Sequence, residues 1–265
     1  MKLEMDTWFL CKQKKKGRKI EYRLFLFPPA GGDVSTYLHW EDLLPDFVEV
    51  CFIKLPGRGM RISEPAIDNL DELTEKLLAE IEKYIDLPFV FFGHSMGGLV
   101  AYGLAQKMQE RNMKLPKKLI ISSIKAPSYM NKFTESLTDD NDDKLYKKSD
   151  EEFLSRVEKL GGIPQILLDS KEFLELILPA FKRDMKLCET YNPANAKVLD
   201  IPFEIFGGNK DEIVNKEELN GWKRFTNRGC AVTIFPGNHF YFLNNPTTLL
   251  FQISNIFHDL YFKIE

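Results

Sequence analysis

Residues 91–100 read FFGHSMGGLV, and the hydroxyl of Ser95 is the group in this run suited to covalent chemistry. Gly93 and Gly97 stand two residues to either side of it. That spacing fits a sharp strand-to-helix turn in which the serine Oγ is lifted clear of the backbone. Glycine suits both positions because a Cβ there would collide as the chain doubles back. A serine hydroxyl attacks a carbonyl only when a base takes its proton, and that base is ordinarily a histidine oriented by a carboxylate. Of the four histidines, His239 follows an apolar run and Pro236-Gly237-Asn238, which places it late in the chain, in a loop at a strand end. His39 and His258 fall in helical stretches and read as surface or packing residues, and His94, inside the turn, points away from Oγ. The matching acid is Asp211, just past Gly207-Gly208, with Glu212 beside it as the fallback. Asp200 precedes its strand and so belongs at the wrong end. Acyl transfer also needs N–H donors for the oxyanion. Met96, directly after the serine, supplies one, and the loop Pro28-Pro29-Ala30-Gly31-Gly32 supplies the other.

These groups can act together only if the fold brings their loops to one end of a sheet. The apolar runs YRLFLF (22–27), VEVCFIKL (48–55), FVFFG (89–93), KLIISS (118–123), PFEIFGG (202–208) and AVTIFPG (231–237) are strand-like and end in turn signals. Between them lie amphipathic stretches, such as 70–85 with Leu70, Leu73, Leu77, Leu78 and Ile81 at helical spacing. Short apolar strands alternating with helices predict an α/β fold with a mostly parallel sheet covered on both faces. Such sheets carry their chemistry at the carboxyl ends of the strands.

From about 125 to 197 the strand pattern stops. Ser149-Asp150-Glu151-Glu152 opens a helix through Leu160 that Gly161-Gly162 stops. A second helix covers about 171–190, with Pro179 expected to kink or divide it. This insertion is expected to cap the active-site end of a single domain spanning 1–265. The acidic run 139–143 lacks the glycine a calcium loop requires and reads as a solvated loop.

A 265-residue chain that is 44% hydrophobic can bury a large core, and a net charge of −3 argues against a nucleic-acid partner. The basic run Lys12–Lys19 reads as a solvated hairpin turn between two edge strands, or as a patch attracting an acidic partner. Cysteines 11, 51, 188 and 230 have no C-x-x-C spacing, so they give neither a zinc pattern nor a disulfide framework. Cys51 and Cys230 read as small buried hydrophobes. No signal peptide or membrane-length apolar segment is present, so a cytoplasmic protein is expected.

The segments LFLFPPAGGDVSTYLHWEDLLP, IKLPGRG, FFGHSMGGLVAYGLA, PFEIFGGNKDEIV and FPGNHFYF resemble type II thioesterases of the α/β-hydrolase superfamily. These are the stand-alone editing enzymes of nonribosomal peptide and polyketide synthetases, and the likeness extends through the insertion as a helical lid. The resemblance implies an α/β-hydrolase fold, Ser95 as nucleophile, Asp211 as acid, His239 as base, and an oxyanion hole from the backbones of Ala30 and Met96. It implies a monomer whose partners are acyl or peptidyl carrier proteins, and a substrate thioester on their phosphopantetheine arm. No metal or organic cofactor is then needed, because phosphopantetheine arrives with the substrate. Two departures stand out: Asn238 replaces a second glycine before the histidine, and Gly59 replaces the acidic residue of LPGRE. The alternatives are a medium-chain acyl-carrier-protein thioesterase of fatty acid synthesis, a general carboxylesterase, and a carrier-binding scaffold without catalysis.

Overall fold

The computed structural model describes residues 7–12, 19–132, 144–158, 170–243 and 245–262. Their strands are β1 (Phe9–Lys12), β2 (Tyr22–Phe27), β3 (Val48–Ile53), β4 (Phe89–His94), β5 (Lys118–Ser122), β6 (Phe203–Gly208) and β7 (Cys230–Phe235). They form one sheet in the order β1-β3-β2-β4-β5-β6-β7, in which β1 runs antiparallel to β3 and the other neighbours are parallel. The inner strands are apolar throughout because both of their faces are covered. Phe25, Phe27, Phe89 and Phe91 join one core cluster, while Leu24, Leu26, Val90 and Phe92, one residue out of phase, join the other. That alternation is the two-residue period of a strand feeding two layers.

Helices α1 (Trp40–Leu43), α2 (Leu70–Ile81) and α3 (Met96–Glu110) precede β5. The spacing read for 70–85 becomes α2 with a short 3-10 turn after it, capped by Asn69, which accepts from the N–H of Glu72 at 3.0 Å. Between β5 and β6 stand α4 (Asp150–Glu158) and α5 (Lys171–Glu189). Ser149 Oγ accepts from the N–H of Glu152, as a capping serine should. Pro179 lies inside α5 without dividing it. α6 (Lys216–Asn220) and α7 (Thr247–Phe262) complete the described helices. The acidic run 139–143 and the expected end of α4 at 159–162 fall outside the described residues.

Two expectations need correction. β1 and β2 are not hairpin partners on an edge: β3 lies between them, and β2 is interior, paired with β3 on one side and β4 on the other. Residues 13–18 between them lie outside the described residues. The cysteines do pair, since Cys11 stands directly opposite Cys51 in the β1–β3 register, with Cα atoms 4.1 Å apart and a disulfide between them. Spacing along the chain carries no trace of an adjacency set by strand pairing. Cys230 is half-buried at the start of β7, while Cys188 on α5 is the buried free cysteine.

Candidate active site

Ser95 joins β4 to α3 with φ 52° and ψ −124°, outside the regions a residue with a Cβ favours. The flanking glycines make the bend possible. A Cβ on Gly93 would lie 2.1 Å from the Gly97 carbonyl oxygen, and a Cβ on Gly97 would lie 2.1 Å from that of Phe27. The turn is held at both ends, because the Ser95 N–H donates to the Ser122 carbonyl at 2.7 Å and the Gly98 N–H to the Ser95 carbonyl at 2.9 Å.

Asp211 and His239 follow β6 and β7, and their loops are hydrogen-bonded to each other. The Lys210 N–H donates to the Gly237 carbonyl at 2.8 Å, and the Gly237 N–H to Asn209 Oδ1 at 2.9 Å. His239 Nδ1 lies 2.9 Å from Asp211 Oδ2, with the histidine 4% exposed and the carboxylate fully buried. Asp211 Oδ1 accepts from the N–H groups of Ile213 and Val214 at 2.9 and 3.1 Å. Burial alone would raise this carboxyl, but the hydrogen bond and charge of His239, with those two N–H groups, hold it below its ordinary value of 3.8. Asp211 is therefore ionised at neutral pH and fixes Nδ1 of His239 as a donor, which leaves Nε2 as the basic nitrogen. Glu212 points to solvent, and Asp200 pairs with Arg228 before β6, so neither competes as the acid. No hydrogen bond joins Ser95 Oγ to His239 here. The two stand on neighbouring loops, with the ring of His94 5.1 Å from that of His239.

His94 is fully buried and held in a polar chain the sequence did not disclose. Its Nδ1 lies 2.9 Å from Ser122 Oγ, which lies 2.8 Å from the Tyr241 hydroxyl. The imidazole also packs on Phe240 and Phe242 from the loop that carries His239. Burial, and then the neighbouring His239, push His94 well below the usual histidine value and keep it neutral. As expected, His94 is structural, while His39 and His258 are exposed.

The loop after β2 makes a tight turn closed by the Gly32 N–H on the Pro29 carbonyl at 3.0 Å, with Gly31 at φ +71°. Positive φ at the third residue marks a type II turn and requires glycine. Among the described residues the N–H groups of Ala30 and Met96 donate to no protein acceptor. Asp184 of α5 lies 1% exposed against this turn: its Oδ2 accepts the Gly31 N–H at 2.8 Å, and Arg58 grips both its oxygens, Nη2 to Oδ1 at 2.8 Å. Arg58 was visible only as part of IKLPGRG, and Asp184 gave no sequence signal because its partners lie 153 and 126 residues away. Gly59, at φ +48°, abuts Asp33, whose Oδ2 a Cβ would meet at 2.6 Å. Cys11, Glu49 and Cys51 come close enough to hold a metal, but the two sulfurs are bonded to each other.

The thioesterase domain family model matches residues 22–257. The gramicidin S biosynthesis protein GrsT of Aneurinibacillus migulanus is 32% identical, over 90% of this chain and 89% of its own. Among solved structures, RedJ, a thioesterase from the prodiginine pathway of Streptomyces coelicolor, is 30% identical with a TM-score of 0.81, covering 89% of this chain and 90% of its own. The type II thioesterase BorB from the borrelidin cluster is 26% identical with the same TM-score, covering 94% and 97%.

Proposed function

This chain belongs to the thioesterase family, and we propose that it clears acyl groups from the phosphopantetheine arms of synthetase carrier proteins through a Ser95–His239–Asp211 triad. The observation that carries the reading is the buried His239–Asp211 hydrogen bond beside a serine held at positive φ. Asp211 orients the imidazole and stabilises it once charged. Nε2 then takes the Ser95 proton as Oγ bonds to the thioester carbon. The tetrahedral oxyanion is received by the N–H groups of Ala30 and Met96, which have no competing acceptor. As the C–S bond breaks, His239 gives its proton to the departing thiol. A water then loses a proton to His239 and attacks the acyl carbon. Cleavage of the C–O bond returns that proton to Ser95 and frees the acid.

The phosphopantetheine belongs to the substrate, so the cycle uses no resident cofactor. In this reading α4 and α5 form the lid of a single domain, which acts as a monomer in the cytoplasm where carrier domains work. The likeness to GrsT, RedJ and BorB, whose names tie them to gramicidin S, prodiginine and borrelidin biosynthesis, supports the editing role over free-ester hydrolysis.

The test compares hydrolysis of one acetyl group on a phosphopantetheinylated carrier protein and on a small activated ester, with Ser95→Ala as blank. The carrier substrate should win in kcat/KM by at least two orders of magnitude, with the blank inactive. Equal turnover of the free ester would make the chain a general esterase. A strong preference for long acyl chains on a fatty-acid carrier would make it a medium-chain releasing enzyme.

A further inference from the structure

Among the described residues, the Arg58–Asp184 pair is buried close to the candidate site, and the triad does not use it. Arg58 is 7% and Asp184 1% exposed. An ion pair so buried loses its hydration, so by itself it is weak evidence of added stability. What distinguishes this pair is the third partner, the Gly31 N–H, one residue past the expected oxyanion donor Ala30. Gly31 is the third residue of the type II turn, so its N–H belongs to the central peptide of that turn. Types I and II differ by a flip of this peptide plane. A buried carboxylate that accepts this N–H favours one orientation and opposes the other, which would bring the Ala30 carbonyl oxygen toward Asp184. Phe181, one helical turn before Asp184, closes the same turn from above, since a Cβ on Gly31 would lie 3.0 Å from its ring.

We infer that Asp184, held by Arg58, is a positioning residue: from the inserted helix α5 it anchors the Ala30–Gly31 peptide of this turn, and so holds in place the adjoining Pro29–Ala30 peptide whose N–H meets the oxyanion. The inference rests on the serine thioesterase reading. It makes the seating of α5 a condition for transition-state stabilisation, so helix and oxyanion turn work as one unit. Neither Asp184 nor Arg58 touches the reacting atoms, and ground-state binding is left largely alone.

The experiment measures kcat and KM for acetyl-pantetheine hydrolysis in the full-length parent, Ser95→Ala, Asp184→Ala, Asp184→Asn and Arg58→Met. It also measures inhibition by a trifluoromethyl ketone analogue, which adds the serine oxygen and presents an oxyanion. Circular dichroism and the endpoint stoichiometry of a fluorophosphonate label count the folded sites. Losing one oxyanion donor costs about 10²–10³ in kcat, so misaiming one in Asp184→Ala should cost about 10–100-fold, with KM within about twofold. Analogue affinity should fall in step with kcat/KM. Asp184→Asn keeps an acceptor for Gly31 and should recover several-fold over Asp184→Ala, while Arg58→Met should fall between the parent and Asp184→Ala. A folded Asp184→Ala with kcat within twofold of the parent overturns the inference, as does a loss of kcat without loss of analogue affinity. Should Asp184→Ala fail to fold, a folded Arg58→Met with kcat within twofold of the parent overturns it. In either case an inactive Ser95→Ala leaves the thioesterase reading standing, whereas an active Ser95→Ala removes that reading itself.

Discussion

Asp211 does two jobs, orienting His239 and holding a negative charge in a buried place, and each predicts a different loss. Asp211→Asn keeps the shape but frees the imidazole to adopt the other tautomer, so kcat should fall by about three to four orders of magnitude with little change in KM. Steady-state kinetics on a small thioester checks this. The second prediction concerns acid. The folded carboxyl lies below its ordinary 3.8, so its stabilising contribution is fully present above that value and is lost as pH falls through the lower folded value. The stability deficit of Asp211→Asn, measured by denaturant melts below about pH 5, where histidine is already protonated, should therefore shrink as the solution is made more acid. A deficit that grows with acid in that range would mean that the carboxyl is not held ionised by its partners.

At the scale of elements, the turn between β4 and α3 concentrates the backbone strain, and the glycines beside Ser95 have backbone oxygens where a Cβ would go. Backbone cannot move aside as a flexible side chain can. Gly97→Ala should therefore cost about 3 kcal/mol or more in stability, and the activity of whatever folds should be lost with it. Thermal melts and rate measurements on the purified variant test both. The inserted helices are joined by Phe153 and Phe181, whose rings meet edge to face at 5.1 Å. Phe181→Ala removes that contact and the cover over Gly31. It should destabilise by about 3–5 kcal/mol in the manner of other large-to-small core changes. Elements of this kind were legible wherever a short-range rule fixed them. The serine turn followed from two glycines, α2 from its apolar period, and Asp211 and His239 from their places just past strands. Pro179 did not divide α5: local propensity assigns a kink or a break there, while the helix runs on through Pro179 to bury Phe181, Asp184 and Met185.

Across the whole molecule, the features that escaped the sequence depend on contacts between distant segments. Cys11 and Cys51 are 40 residues apart and meet only because β1 pairs with β3. Arg58 and Asp184 meet only because α5 is laid over the loops after β2 and β3. The short apolar strands between helical stretches, by contrast, announced a mostly parallel sheet covered on both faces directly. The disulfide has a simple chemical check. In guanidinium without reductant the protein should show two titratable thiols, Cys188 and Cys230, rising to four after reduction. In the native state Cys188 should resist alkylation, because burial raises its thiol well above the ordinary range. Four thiols before reduction would show that the β1–β3 pair stands as neighbouring thiols.

The chemistry attributed to the chain stands or falls on one side chain. Titration with a fluorophosphonate, followed by peptide mapping and by thioester hydrolysis on the same samples, measures it most directly. One phosphonyl group per chain should appear on Ser95, with hydrolysis falling in strict proportion to its incorporation. Hydrolysis that survives complete modification of Ser95, or that tracks modification of another residue, would contradict the account.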